Sequence, residues 1–279
     1  MTTGKLFAEG FPFKFSGGET QVRIVGGPTN DKAVVTFSKK IRNGDDIMEI
    51  LLTVDALRRA GHKRLKLILP YVPYGRQDRV MVPGEALGIK VFADLINSCN
   101  FEEVEIWDPH SDVTPALINN VVVVGQEVLI CGEAVKFGNG FPRSPILVCP
   151  DAGARKKILK VAEVLGKTEI VFADKIRDVR TGQITGTKVD FSNVNVRDGV
   201  IKSYLVVDDI CDGGRTFVEL AKELKIHPYT KDSNLYLYVT HGFFSKGLDE
   251  LAQYFQGIYV ANLMSQDPKV LEHPVLKSK

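Results

Sequence analysis

The sequence predicts an α/β protein of two domains whose strands run mainly parallel. Three observations predict it. Short apolar runs of strand length alternate with amphipathic segments of helical period along most of the 279 residues. Near the middle a stretch rich in Gly and Pro, Gly138-Asn-Gly-Phe-Pro-Arg-Ser-Pro145, interrupts that alternation. Beyond it the order of elements starts again, without a repeat of sequence. The expected domains are therefore 1–140 and 141–279, each a mainly parallel sheet flanked by helices.

In the first half, Ala33-Val-Val-Thr-Phe37 reads as a strand of β-branched and aromatic residues. Residues 45–60 read as a helix, with Ile47, Ile50, Leu51, Val54 and Leu57 on one face and Gly61 as its stop. Arg64–Leu69 is the next strand, 85–98 the next helix, and Glu103–Trp107 and Val121–Val124 are further strands. The second half opens on strand Ile146–Cys149 and helix 154–165, then strands Glu169–Ala173 and Tyr204–Val207. Helix 217–225, strand Leu235–Val239, helix 246–255 and strand Ile258–Leu263 complete it. The polar stretch 176–202, holding Gly182, Gly186 and Gly199, has no apolar period; it reads as a connector or, better, as an active-site lid.

Composition narrows the classes. At 44% hydrophobic and 25% charged the chain has ordinary soluble globular composition. A net charge of +2 provides no field for a polyanion, so nucleic acid is not an expected partner. No apolar run reaches 18 residues and the N-terminus lacks an apolar signal region, which predicts a cytoplasmic protein without a membrane partner. Cys99, Cys131, Cys149 and Cys211 have no zinc or Cys-x-x-Cys spacing. Buried free thiols are the default, and Cys211 reads as a small filler rather than a nucleophile.

The stretch that carries most chemistry is Tyr204-Leu-Val-Val-Asp208-Asp209-Ile-Cys-Asp212-Gly213-Gly214-Arg215-Thr216. A buried strand runs into two adjacent carboxylates and a Gly-rich loop, and a helix opens at once with Phe217, Leu220, Ala221 and Leu224 on one face. Gly213 and Gly214 let backbone N–H groups approach an anion, and the helix start adds partial positive charge. Phosphate alone would repel Asp208 and Asp209. Carboxylates beside a phosphate cradle suit ribose hydroxyls and a bridging Mg²⁺, so the pattern points to a phosphorylated sugar.

This string resembles the phosphoribosyl-pyrophosphate loop shared by type I phosphoribosyltransferases and ribose-phosphate pyrophosphokinases. Leu67-Ile-Leu-Pro-Tyr71-Val-Pro-Tyr74-Gly75-Arg76-Gln77-Asp78-Arg79 resembles the ATP-binding segment found only in the second of these. Phe15-Ser-Gly-Gly-Glu19, Met48 to Arg59, Trp107-Asp108-Pro-His110 and Cys149-Pro-Asp151-Ala-Gly153 follow the pyrophosphokinase pattern too, in order, over about residues 12 to 263. The resemblance implies two phosphoribosyltransferase-like domains. It also implies transfer of the β,γ-diphosphoryl group of ATP to the anomeric hydroxyl of ribose 5-phosphate, with Mg²⁺ and release of AMP.

The resemblance further implies roles. Phe15, Glu19, Arg76, Gln77, Asp78 and Arg79 would bind ATP, Phe15 and Glu19 across a subunit interface, which makes a homo-oligomer (dimer or hexamer) the expected assembly. Arg76 suits phosphate by its fork geometry. His110, Lys175 and Arg177 would be catalytic. The two cations alternate by two residues in extended chain and could reach one phosphate together. Asp208, Asp209, Asp212, Gly213, Gly214, Arg215 and Thr216 would bind the acceptor. His110, Asp151, Asp208 and Asp209 are the candidate metal ligands. Each also has a plainer reading, as an exposed loop cation, a structural histidine, a turn-forming Asp or a packed Phe.

The chain departs from the family at several points. Gly17 stands where the adenine-reading segment has an acid, Val80-Met-Val-Pro-Gly84 replaces a basic run, and Ser111-Asp-Val-Thr-Pro115 follows His110. The first weakens the case for an unchanged adenine contact, and the other two put inhibition by ADP in doubt. In the phosphate loop Gly213 removes a hydroxyl and Arg215 adds a long cation. A wider, more positive pocket would admit ADP-ribose as an alternative acceptor, for NAD synthesis. A phosphoribosyltransferase or a non-catalytic nucleotide-binding homologue are the remaining readings.

Overall fold

The computed structural model describes residues 9–25, 34–177, 184–195 and 201–277, with the backbone alone at 9–11, 175–177 and 184–186. It forms two compact units, Met1–Val124 and Gly125–Lys279.

The first unit begins with an antiparallel hairpin, β1 (Glu9–Lys14) and β2 (Thr20–Val25), which the sequence did not suggest. Its turn holds Phe15 and Glu19: Phe15 N donates to Glu19 O at 3.0 Å, and Gly18 sits at φ +91. A parallel sheet follows in the order β3 (Val34–Ser38), β4 (Arg64–Leu69), β5 (Glu103–Trp107) and β6 (Val121–Val124). Helix α1 (Gly44–Arg59) is capped by Asn43, whose side-chain oxygen accepts from Asp46 N at 3.1 Å, and Ile47, Ile50, Val54 and Leu57 are buried as the period required. Helix α2 (Gly88–Ser98) starts later than residue 85. The reason is local: Glu85 turns back to accept the backbone N–H groups of Met81 and Val82 at 2.7 and 3.1 Å, which pins 81–85 as a loop. A short helix α3 (Val113–Leu117) completes the unit. Leu65, Leu67 and Leu69 alternate into a core shared with Ile50, Leu57, Ile89 and Phe92.

The second unit is a seven-stranded sheet in the order β13-β12-β11-β10-β7-β8-β9. The strands are β7 (Ile146–Cys149), β8 (Ile170–Arg177), β9 (Ile184–Asp190), β10 (Ser203–Cys211), β11 (Asn234–Gly242), β12 (Phe255–Leu263) and β13 (Leu276–Lys277). All neighbours are parallel except β8 and β9. Helices α4 (Gln126–Phe137), α5 (Arg155–Val164), α6 (Arg215–Ile226), α7 (Asp249–Ala252) and α8 (Pro268–Leu271) connect them. Both faces of the sheet are covered. Tyr204 and Val206 point into a core with Leu220 and Leu224 of α6, while Leu205 and Val207 point into another with Ile130 of α4 and Ile158 of α5. Burial on both faces is why Tyr204–Val207 of β10 reads as an unbroken apolar run.

Three expectations change. The units divide at Val124 and Gly125, ahead of the Gly- and Pro-rich stretch, because α4 buries Ile130 against β7, β10 and α5. The helix expected over 246–255 shrinks to α7: Gly247 adopts φ +76 before it and β12 begins at Phe255. The connector 176–202 contains a strand, β9, paired with β8; the intervening 178–183 and the later 196–200 lie outside the described residues.

Candidate active site

In the first unit the chemistry gathers at the carboxyl edge of the sheet. Leu69 pairs with Ile106, so the segments that leave β4 and β5 emerge side by side. These segments carry Arg76–Arg79 and Asp108–His110. Both contain non-glycine residues held in left-handed backbone, Tyr74 at φ +62 and Asp108 at φ +38, a conformation that costs energy and concentrates at functional loops. Gly75 passes so close to its surroundings that a Cβ there would lie 3.1 Å from Val72 O and 3.4 Å from Thr114 Oγ1. Trp107, at the end of β5, donates from Nε1 to Glu105 at 2.7 Å, and the next residue, Asp108, is buried.

Arg76, Gln77 and His110 are exposed on this edge. The Gln77 amide folds over Gly88, the first residue of α2, where any side chain would collide with it. Asp78 and Arg79 bind each other: Nε and Nη2 of Arg79 donate to the two Asp78 oxygens at 2.8 and 3.3 Å. The Asp78 side chain is 7% exposed, and the Arg79 guanidinium holds its carboxyl down at about 2. Asp78 thus braces the segment from inside. Phe15 is exposed on the hairpin turn with Glu19, its ring edge-on to Phe13 at 5.4 Å. Gly17 faces open space, so no packing demand explains the missing acid there.

In the second unit the strand order reverses between β7 and β10: the chain runs from β7 outward to β8 and β9, then returns to β10 on β7's other side. The crevice outside the carboxyl ends at such a switch point is where open α/β sheets bind ligands. Val206 pairs with Val148, which brings the ends of the two strands, Asp208–Asp209 and Asp151, to one place. Asp151 Oδ1 accepts the N–H groups of Gly153 and Ala154 at 3.0 and 3.3 Å. Lys157, reaching from α5, donates to Asp209 Oδ2 at 3.0 Å. Burial, then the charges of Asp209 and Asp151, push the Asp208 carboxyl well above the usual range.

Strand β10 runs on through Asp208 and Asp209 to Cys211, and α6 opens at Arg215, so the loop between them is shorter than the sequence suggested. Gly214 adopts φ +77 and caps α6, with Phe217 N and Val218 N donating to its carbonyl at 3.0 and 3.1 Å. Arg215 and Thr216 open the helix; Arg215 is exposed. Asp212 Oδ1 accepts from Ser245 Oγ at 2.7 Å. Cys211 is fully buried and burial pushes its thiol far up, which suits a filler; Cys149 is pushed up to about 12 by burial as well.

Lys175 and Arg177 lie on β8, opposite Thr187 and Ile184 of β9, and their side chains lie outside the described residues. A register shift between Ile176 and Arg177 interrupts the regular alternation on which the expectation of a shared side rests. Among the described residues no three His, Cys, Asp or Glu side chains form a metal cage. Sequence reasoning missed Lys157 and Ser245. Each meets its partner across 52 and 33 residues respectively, a separation that carries no local signal.

Comparison with known proteins fits this arrangement. Residues 12–99 match the model of the N-terminal domain of ribose phosphate pyrophosphokinase. The ribose-phosphate pyrophosphokinase of Thermococcus kodakarensis is 34% identical over 239 residues, covering 85% of this chain and 79% of that protein. That of Pyrococcus furiosus is 31% identical over 247 residues, covering 86% and 82%. The crystal structure of phosphoribosylpyrophosphate synthetase from Mycobacterium smegmatis superposes with a TM-score of 0.73 at 23% identity, over 98% of this chain and 86% of that one, which shows a shared fold.

Proposed function

The chain belongs to the ribose-phosphate pyrophosphokinase family, and from that premise we propose that it moves the β,γ-diphosphoryl group of ATP onto the anomeric hydroxyl of ribose 5-phosphate. The observation that carries this reading is the pairing of Asp208–Asp209 with the Gly213–Gly214 cradle at the sheet's switch point, in a chain that also holds the Arg76–Arg79 segment.

In the reaction the acceptor's anomeric hydroxyl oxygen attacks the β-phosphorus of ATP and its proton is lost to solvent. The bond from that phosphorus to the α–β bridging oxygen breaks, and AMP leaves. There is little covalent work for the protein, so its residues act by positioning and charge. Arg76 and Gln77 hold ATP, braced by Asp78 and Arg79, with His110 beside the phosphates. Asp208 and Asp209 take the ribose hydroxyls, and the loop Asp212–Thr216 takes the 5-phosphate on its N–H groups. Lys175 and Arg177 stabilise the charge that grows in the transition state.

The crowding of Asp208 against Asp209 and Asp151 fits a divalent cation, which would relieve the repulsion that raises the Asp208 carboxyl. Asp151, Asp208 and Asp209 are the residues of the second unit that would hold Mg²⁺, and His110 is the candidate ligand of the first. Mg²⁺ held there would neutralise phosphate oxygens and align them for transfer. Phe15 and Glu19, on an exposed turn, read adenine across a subunit interface in a homo-oligomer. No helix among the described residues is long and apolar enough to cross a membrane, and the cytoplasm is the proposed location.

A second reading rests on Gly213 and Arg215. Arg215 is an exposed cation without an ion pair among the described residues, two residues after Gly213, which offers no side-chain hydroxyl. Both favour an acceptor with a diphosphate, and ADP-ribose is the candidate. The test is product analysis from ATP with ribose 5-phosphate or ADP-ribose. AMP should form in step with the diphosphorylated acceptor; ADP as the stoichiometric nucleotide would overturn both readings. A kcat/KM at least about tenfold higher for ADP-ribose, roughly 1.4 kcal/mol of transition-state preference, would replace the first reading by the second.

A further inference from the structure

We infer that Lys246, which the family resemblance does not include, is a binding residue for the acceptor's phosphoryl oxygens. The inference rests on the reading of Asp212–Thr216 as the phosphate loop. It starts from a second segment, Phe243–Gly247, that is latched onto that loop by backbone bonds. Phe243 N and Phe244 N donate to Cys211 O at 2.8 and 3.2 Å, and Ser245 N donates to Asp212 O at 3.1 Å. Ser245 Oγ adds the bond to Asp212 Oδ1.

The latch holds its segment in a costly conformation. Phe244 sits at φ +50, left-handed for a bulky residue, with its ring packed against Gly242 where no side chain would fit. Gly247 follows at φ +76. Such a segment persists only where the surroundings fix it, and here they fix Lys246 over the loop. The Lys246 stem lies along Gly213: its Cδ and Cε are each 3.6 Å from the point a Cβ on Gly213 would occupy. The ammonium is one bond beyond Cε.

That ammonium is exposed and has no ion pair or hydrogen bond among the described residues. Asp212, the acid nearest along the loop, gives Oδ1 to Ser245 instead. Arg215, likewise exposed and unpaired among the described residues, follows the same two glycines in the chain. Two cations without an ion pair among the described residues therefore flank one Gly-rich loop at the start of α6, an arrangement that suits an anion. Lys246 is a mobile point charge on a flexible stem. It can serve a phosphate monoester or a diphosphate, and the acceptor decides which.

The test uses the full-length enzyme and Lys246→Ala, Lys246→Gln and Lys246→Arg. Alanine and glutamine should raise the acceptor KM about tenfold, as expected for loss of one charge-assisted contact, with the ATP KM unchanged and arginine restoring most of the loss. Binding of inorganic phosphate, read by calorimetry without ATP, should weaken in parallel. Unchanged phosphate affinity in Lys246→Ala, or equal losses in all three variants, would overturn the assignment. If the wild type makes no AMP from either acceptor, the proposed function falls, yet the phosphate titration still decides the role of Lys246. A larger effect on ADP-ribose than on ribose 5-phosphate would identify the distal phosphate of the diphosphate as its partner, and equal effects the phosphate on the ribose 5-oxygen that both acceptors share.

Discussion

Asp208→Asn is expected to give a protein that is more stable and nearly inactive. In the folded state Asp208 holds its proton to a pH well above the 3.8 of an ordinary Asp, because burial and the charges of Asp209 and Asp151 oppose ionisation. Between those two values the folded protein binds a proton that the unfolded chain releases. The stability of this group is therefore complete below 3.8 and is lost as pH rises through the folded value. Asparagine removes the penalty. At neutral pH without Mg²⁺ the melting temperature should rise by several degrees, on the order of 2–4 °C per kcal/mol, and the difference should shrink toward pH 4. Added Mg²⁺ should stabilise the wild type and not the variant. Turnover should fall about 10²-fold or more, since an amide cannot carry the charge that the ribose and the metal require. Thermal scans at three pH values, paired with AMP formation, check it. A variant less stable than wild type at pH 7 would show that Asp208 is paired in a way its surroundings do not suggest.

The second large effect contrasts two adjacent glycines. Gly214 is left-handed at φ +77, and a Cβ on it would stand 3.2 Å from Leu251 Cδ1. Gly214→Ala should cost about 1–3 kcal/mol from backbone strain alone and displace the cap of α6. The acceptor KM should rise more than about tenfold, because the cradle's N–H groups move with that cap. Gly213→Ala is expected to cost under about 1 kcal/mol, since a methyl there meets only the Lys246 stem at ordinary contact distance. Urea titration and acceptor kinetics on both variants check the contrast. Equal effects would mean that the loop is not held in the conformation described.

The parts of this fold that were legible are those whose signal is local. Strand β4 and the core face of α1 follow from alternation at Leu65, Leu67 and Leu69 and from the period of Ile47, Ile50, Val54 and Leu57. The turn at Gly214 between β10 and α6 was legible because strand, loop and helix are contiguous. Helix α4 was not legible: Val128 and Val135 are exposed and Gly132 interrupts it, so its apolar residues show no single face. Strand β9 is polar and without apolar period, so its stretch reads as a lid or connector; it lies at the sheet's edge and gains its place only by pairing with β8. The latch of Ser245 on Asp212 and the bond from Lys157 to Asp209 depend on the topology that brings β11 and α5 to the end of β10. Nothing near Lys157 or Ser245 in the chain announces them.

Trp107 is the sole tryptophan of the chain, and its place gives the protein a built-in optical probe. Its indole hydrogen-bonds to Glu105 and stands one residue from the left-handed Asp108, on the loop that leads to His110. Intrinsic fluorescence excited at the indole band therefore has a single origin, next to the edge proposed to bind ATP and in a different unit from the proposed acceptor loop. ATP and ribose phosphate can be titrated separately against one unlabelled signal. The order in which the two substrates bind then becomes measurable in a cuvette before any product is formed.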